Sequence, residues 1–297
     1  MVARAKPFIK WAGGKGQLLL QLDALLPKRF AAEADVVYVE PFVGGGAMLF
    51  HVLSRYPNIK RVIINDINDN LMACYRTIKN NPLGLISALT TLQYEYKECG
   101  SEKARLSMYL SKRDLYNKQV SSLVDTVALF IFLNRTCFNG LYRVNSRGLF
   151  NVAFGKVKNP LLCDVETIVA DSKLLQRVEI HAEDFSSIME SVDNDAFLFL
   201  DPPYRPLTRS ACFTAYSTQG FGDDEQRILA DLCHKLDQRG TRWMLTNSDP
   251  HNIDPNDMFF ENLYAGFDIR RLYANRMINS KADGRGKITE LVIRNYS

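Results

Sequence analysis

The sequence predicts an α/β fold, a doubly wound and mainly parallel sheet interrupted by a mainly helical insert that ends in a β-hairpin. Three observations carry that expectation. First, Val36-Val37-Tyr38-Val39 is a β-branched apolar run that stops at Glu40-Pro41 and meets three consecutive glycines, Gly44–Gly46. A helix-compatible stretch, Ala47–Leu53, follows, and a second apolar run, Arg61–Asn65, ends at Asp66. Strand, glycine turn, helix and strand in so short a span form a βαβ unit, whose strands run parallel. Second, Ala196–Leu200 is wholly apolar and breaks at Asp201-Pro202-Pro203-Tyr204, as a central strand covered on both faces does. Third, from Leu71 to Gln119 apolar residues recur at helical spacing, among them Leu85, Leu89, Leu92, Leu106 and Leu110.

The remaining elements fall between these. Leu123–Leu133 reads as an apolar helix. The turn signals Asn139-Gly140 and Ser146-Arg147-Gly148 bracket a hairpin formed by Leu141–Val144 and Leu149–Phe154. Val178–His181, Arg242–Thr246 and Ile288–Ile293 are further strands, and Asp223–Arg239 is an amphipathic helix opened by acids. The expected division is a core domain of residues 1–75 and 161–297 and an insert of residues 76–160.

Composition narrows the class. The 297 residues, 46% hydrophobic and 24% charged, suit a folded soluble protein. The longest apolar stretches, Val127–Leu133 and Ala196–Leu200, are too short to cross a bilayer. Met1–Lys10 has neither an apolar core nor a small-residue cleavage site, so a cytoplasmic protein is expected. Cys74, Cys99, Cys137, Cys163, Cys212 and Cys233 form no C-x-x-C pair, and the four histidines are dispersed. Reduced, structural cysteines and no metal site follow from that spacing. Net charge is only +4, yet Thr126 to Cys163 holds no acid while carrying Arg135, Arg143, Arg147, Lys156 and Lys158. Such a segment is the electrostatic footprint of a polyanionic partner.

The chemistry gathers where strands end, since ligands of open α/β sheets bind at the carboxyl edge. Gly44–Gly46 allow close backbone approach, although a plain tight turn would also use them. Asp66 lies 22 residues after Gly44, about the distance at which a carboxylate reaches ribose hydroxyls, which favours an adenosine-bearing ligand. The glycines are contiguous, not spaced G-x-G-x-x-G, so the nicotinamide fingerprint is not met. Trp11-Ala12-Gly13-Gly14-Lys15 could clamp a zwitterionic amino acid, Lys15 facing its carboxylate and Trp11 a cation. Adenosine with an amino-acid tail describes S-adenosyl-L-methionine. Asp201-Pro202-Pro203-Tyr204 suits methylation of an aromatic amine. The Asp201 carboxylate and the Pro202 carbonyl would bind the amine hydrogens, the prolines would fix their direction, and Tyr204 would stack on the base.

Taken together these motifs resemble the DNA adenine methyltransferase family, in the family's order and over essentially the whole chain. They are Phe8–Lys15, Glu40–Gly46, Asn65-Asp66, the insert, Asp184-Phe185 and Asp201–Tyr204, with Leu133–Asn145 and Phe150–Gly155 similar to the family's DNA-recognition hairpin. The resemblance implies a seven-stranded, Rossmann-like methyltransferase sheet and a cytoplasmic monomer of prokaryotic or phage type acting on double-stranded DNA. It also implies S-adenosyl-L-methionine bound by Trp11, Lys15, Asp66 and Asp201, with Asp184 and Phe185 about its adenine. Ala12, Gly13, Gly14, Glu40, Phe42 and Gly44 complete the cofactor set. Asp201, Pro202 and Tyr204 would hold a target adenine. Arg143 would read a neighbouring guanine, Leu141 would touch a thymine, and Phe138 and Asn139 would intrude into the duplex. Lys10 would serve the first guanine, and Arg135 and Asn145 complete the DNA set; the implied site is GATC. Ala153 departs from the pattern, where relatives usually carry proline. Independent chemistry agrees: arginine bidentate to guanine is the commonest specific contact, a base in a duplex must be extruded to react, and an aromatic can wedge the gap. The competing readings are an amine methyltransferase on RNA or on cytosine N4, and a non-catalytic DNA-binding protein on the same fold.

Overall fold

The computed structural model describes residues 5–207, 221–275 and 287–297. Cys212 and the start of the N-terminal segment, among the expectations above, lie outside these. All six expected strands form: β1 (Val36–Glu40), β2 (Ile59–Asn65), β3 (Val178–His181), β4 (Ala196–Leu200), β5 (Arg242–Ser248) and, after an unexpected β6 (Asp268–Asn275), β7 (Lys287–Arg294). They make one seven-stranded sheet in the order β3-β2-β1-β4-β5-β7-β6. β1 runs parallel to β2 and β4, and β4 to β5, whereas β7 is antiparallel to both β5 and β6. β6 escaped the sequence because it pairs with β7 alone, and its run of Asp268, Arg270 and Arg271 has the charge typical of an edge strand.

All five residues of β4 are buried, as its apolar sequence requires. Leu198 pairs in register with Val39 and with Trp243, and the core around them adds Leu245, Leu291 and Ile293. Helix α9 (Asp223–Gln238) turns Leu229, Leu232, Cys233 and Leu236 onto this core at three- and four-residue spacing. Each such side chain contributes about 1.5–3 kcal/mol by leaving water. The Trp243 indole N–H is satisfied by the Cys233 carbonyl at 3.0 Å, so its burial leaves no orphan donor. Sequence order reverses between β1 and β4, the topological switch point. Glu40, Asn65 and the Asp201 loop therefore end at the carboxyl edge, where ligands bind.

By packing, the described chain falls into two compact units. One comprises residues 1–14, 44–55 and 68–182, the other 15–43, 56–67 and 183–297. The first is mainly helical. The helical pattern expected over 71–119 is carried by three helices: α3 (Asp69–Asn80), α4 (Pro82–Lys97) and α5 (Glu102–Lys118). Asn81 ends α3 and caps α4, accepting from Gly84 N–H, with Pro82 at the first helical position, and Ser101 caps α5. Leu85, Leu89 and Leu92 are buried as expected, but Leu106 and Leu110 are 39% and 37% exposed. Helix α6 (Leu123–Thr136) is buried along most of its length.

The expected hairpin is reduced to two isolated antiparallel bridges, Val144 with Phe150 and Cys137 with Phe154. Side chains of α4 and α5 bond the backbone groups that this segment turns away from residues 143–145. Asn117 both donates to Phe150 O and accepts from Phe150 N, the Tyr109 hydroxyl donates to Val152 O, and the Tyr96 hydroxyl donates to Val157 O. Gly155 closes this loop against the end of α6, its N–H on Thr136 O at 2.9 Å. A Cβ there would stand 2.2 Å from the Cys137 carbonyl oxygen. Gly155→Ala should therefore cost about 3 kcal/mol in denaturant unfolding. A midpoint equal to the parent's would mean that the loop yields freely.

Among the described residues no helix is long and apolar enough to cross a membrane. Cys74, Cys99, Cys137, Cys163 and Cys233 are unpaired, and no group of three or more His, Cys, Asp or Glu could hold a metal.

Candidate functional site

The sheet-bearing unit places its chemistry on the loop that leaves β4. Asp201 Oδ1 receives two bonds, from Lys15 Nζ at 2.7 Å and from the Thr246 hydroxyl at 2.7 Å. Lys15 is only 4% exposed and also lies 4.5 Å above the Tyr204 ring. The Tyr204 hydroxyl donates to Glu290 Oε2. Burial, and then the charges of Asp201 and Glu290, hold its phenol well above the usual range, so it stays a neutral donor. The loop backbone is clamped from both sides. Gln226 donates to Pro203 O at 3.1 Å, Asn247 accepts from Arg205 N at 3.1 Å, and the Ser248 hydroxyl donates to Arg205 O at 2.8 Å. None of these bonds uses the Pro202 carbonyl. Both acceptors expected to hold an amine, Asp201 and Pro202, thus stand on a rigid turn.

Glu40, at the end of β1, is 2% exposed and accepts from the Tyr38 hydroxyl at 2.6 Å. Burial pushes its carboxyl up to about 8 against the pull of the Tyr38 bond, and the Asp201 charge raises it further. A neutral buried acid beside a carboxylate is a place where a cation would be welcome. Phe42 and Phe185 stand 5.0 Å apart, and Phe221 is 5.8 Å and 5.7 Å from them, an aromatic cluster able to pack a flat heterocycle. Asp66 directly follows β2 and is half-buried. Its neighbour Asn65 ties two segments together, donating to the carbonyls of Pro41 and Glu183 and accepting from Glu183 N. Asp184 is exposed and caps the short helix α8 (Phe185–Ser191), accepting from Ser186 N at 2.9 Å. The carboxylate expected beside an adenine therefore has a local task as well.

The helical unit holds the other expected residues. Trp11 packs against the glycine turn, since Cβ atoms on Gly44 and Gly45 would approach it to 3.0 and 3.1 Å, and it stacks on Tyr142 at 5.8 Å. Its ring is engaged by this packing, a role the sequence did not announce. Ala12, Gly13 and Gly14 are exposed. Gly46 has φ +75°, and a Cβ there would meet the Tyr75 hydroxyl at 2.5 Å, the same hydroxyl that donates to Gly44 O. Phe138 is 54% exposed and Asn139 adopts φ 55°, so the turn after α6 presents an aromatic outward. Leu141 is half-buried, while Lys10 and Arg143 are exposed. Arg143 is braced by Asn151, its Nε on Oδ1 at 2.9 Å and Nη2 on the carbonyl at 3.2 Å.

Two expected DNA contacts are turned to the scaffold. The Arg135 guanidinium is largely buried and donates to Phe8 O at 2.6 Å, and burial lowers its proton affinity. Asn145 closes its own turn, accepting from Arg147 N and Leu149 N. Of the acid-free segment's cations, Lys156 also finds an acid, Glu102 at 3.0 Å. Absence of acids along the chain did not mean absence in space.

The seven-stranded, mainly parallel sheet is Rossmann-like, and the Asp201–Tyr204 loop leaves its central strand at the carboxyl edge. The chain belongs to the D12 class N6 adenine-specific DNA methyltransferase family, whose match spans residues 11–278. It is 47% identical over 294 residues to Type II methyltransferase M.MjaIII of Methanocaldococcus jannaschii, covering 98% of this chain and 99% of that one. It is 37% identical to Type II methyltransferase M1.LlaDCHI of Lactococcus lactis subsp. cremoris, covering 98% and 95%. It is 31% identical to the DNA adenine methylase of Escherichia coli K12, covering 97% and 94%. It is thus an adenine-specific DNA methyltransferase.

Thr246, Glu290, Phe221, Asn151 and Asn134 went unread in the sequence. The first three lie 45, 86 and 36 residues from the groups they touch. Asn134 and Asn151 stand inside the recognition motifs but look like ordinary polar residues there.

Proposed function

We propose that the chain transfers the methyl of S-adenosyl-L-methionine to N6 of an adenine extruded from duplex DNA, within a GATC-type site. The observation that carries this reading is the mooring of Asp201. Lys15 and Thr246 both bind Oδ1, which leaves Oδ2 and the Pro202 carbonyl for the two hydrogens of an exocyclic amine. Accepting those hydrogens draws density onto nitrogen, and Tyr204, its hydroxyl held by Glu290, offers a ring face for the base. When bound, the cofactor would supply an electrophilic methyl carbon to that nitrogen and be left as a neutral thioether. The surplus proton on nitrogen passes to the Asp201 carboxylate that already holds it. The donor set suits the cofactor: a buried acid (Glu40) and a carboxylate for its cationic groups, and the Phe42, Phe185 and Phe221 rings for its adenine.

Residues 76–160 are proposed as the recognition domain and 1–75 with 161–297 as the catalytic domain. Exposed Phe138, Arg143 and Arg147 on the recognition segment support that division. The direct test is incubation of duplex DNA with labelled cofactor, digestion to nucleosides and base-resolution mapping. N6-methyladenine confined to GATC is the expected product; label in RNA or on cytosine would overturn the reading, and another adenine site would remove GATC. Arg143→Ala should lose about 1–3 kcal/mol of discrimination at one guanine. Competition between parent and guanine-substituted duplexes checks it, and unaltered selectivity would dismiss Arg143 as a reader.

A further inference from the structure

We infer that Asn134 is a positioning residue for DNA recognition, locking Lys10 to the Phe138–Gly140 turn so that cation and aromatic meet the duplex as one preformed unit. The inference rests on the DNA-facing role proposed above for that surface. Asn134 lies near the end of α6 and is 2% exposed. Its amide makes three bonds: Oδ1 accepts from Lys10 N at 3.0 Å, and Nδ2 donates to Lys10 O and Gly140 O, each at 2.8 Å. Both amide donors are used, and toward Lys10 the side chain imitates a neighbouring strand. The two residues are 124 apart in sequence, so nothing local would bring them together.

Gly140 completes the lock. It has φ +65°, and a Cβ there would stand 2.7 Å from Cβ and Cδ of Lys10. The Lys10 stem therefore lies along the glycine. The same turn is pinned across the loop by Phe138 N on Ala153 O at 2.8 Å, which keeps the exposed ring outward. One residue beyond Asn134, Arg135 binds Phe8 O and rivets the 8–10 segment a second time. A cation and an aromatic held ready in this way avoid the ordering cost that flexible groups meet on binding. Stacked bases on a polyanionic backbone are the matching ligand.

The test uses the full chain with Asn134→Ala, Lys10→Ala and the double variant. Read-outs are turnover on GATC duplexes and on duplexes substituted at each guanine, and 2-aminopurine fluorescence at the target adenine. Circular dichroism and cofactor calorimetry report the fold. A parent protein that methylates no duplex would refute the proposed function itself, before Asn134 is in question. With an active parent, Asn134→Ala should keep cofactor affinity and lose about tenfold in guanine discrimination together with the extrusion signal. Lys10→Ala should add little discrimination loss on top, since coupled residues are not additive. Unchanged discrimination and extrusion in a folded Asn134→Ala, or strictly additive losses, would overturn the inference. Should Asn134→Ala fail to fold, Gly140→Ala, which strains the turn at its left-handed φ and displaces it against the Lys10 stem, must reproduce the discrimination loss with cofactor binding intact; parent-like selectivity there would equally overturn it.

Discussion

Asp201→Ala is expected to lower turnover by about 10³-fold or more, because it removes a preorganised acceptor from the reacting amine. Duplex affinity should persist, since the exposed cations and the Phe138 turn lie elsewhere in the chain. The substitution also takes from Lys15, a lysine 4% exposed, the Asp201 carboxylate that it binds. Removing one partner of a buried ion pair costs stability, so thermal unfolding must accompany the kinetics. Asp201→Asn is the milder variant. Its amide oxygen can still accept from Thr246 and Lys15, which keeps both bonds without the charge while weakening the grip on the amine. The expected series is parent, then Asn, then Ala, in rate and in stability alike. A folded Ala variant turning over at the parent rate would take Asp201 out of the chemistry.

The second large effect is the pH response of Glu40. In the unfolded chain the carboxyl returns to its ordinary value of 4.5, whereas in the fold it is held at about 8. Between those values the unfolded chain has shed its proton and the folded one keeps it. Stability therefore falls as pH rises through the window, at a limiting rate of about 1.4 kcal/mol per pH unit, and levels off above it. Asp171 is raised to about 8 as well, chiefly by burial, and leans the same way. The Glu40→Gln variant isolates the one group, since its amide oxygen can still accept from Tyr38. Denaturant unfolding at several pH values should show the variant gaining on the parent from about pH 4.5 to about pH 8, by several kcal/mol in all. A gap that stays constant across that range would mean Glu40 is ionised in the fold. On the proposed reading, a cationic ligand would draw the carboxyl back toward ionisation. Glu40 would then release its proton on binding near neutral pH, seen as a buffer-dependent heat in calorimetry that Glu40→Gln abolishes.

Much of the candidate site was legible because each motif is local. A β-branched run that stops at glycines, or an apolar pentad that stops at Asp-Pro-Pro-Tyr, states where a strand ends and what stands at its end. The sheet's carboxyl edge then follows from the parallel connection alone. The failures have the opposite character. Arg135, expected at the DNA, also bonds the Phe8 carbonyl. Asn145, expected there too, accepts within its own turn. The hairpin pattern of 141–154 survives as two bridges and the bonds of Asn145 N to Leu149 O and Asn151 N to Arg143 O, while Asn117 and Tyr109 hold its outer edge to the helices.

By itself, then, the sequence determined six of the seven strands, the parallel connection, the place of the Asp201 loop at a strand end and the family. All of these depend on residues close together in the chain. Tertiary structure alone decided that Thr246 and Lys15 share one oxygen of Asp201, that Glu290 holds Tyr204, and that Asn134 joins Lys10 to the turn. Each of those pairs is separated by 45 to 186 residues, and a buried polar group takes whichever partner the packing brings within reach, for which no local pattern exists.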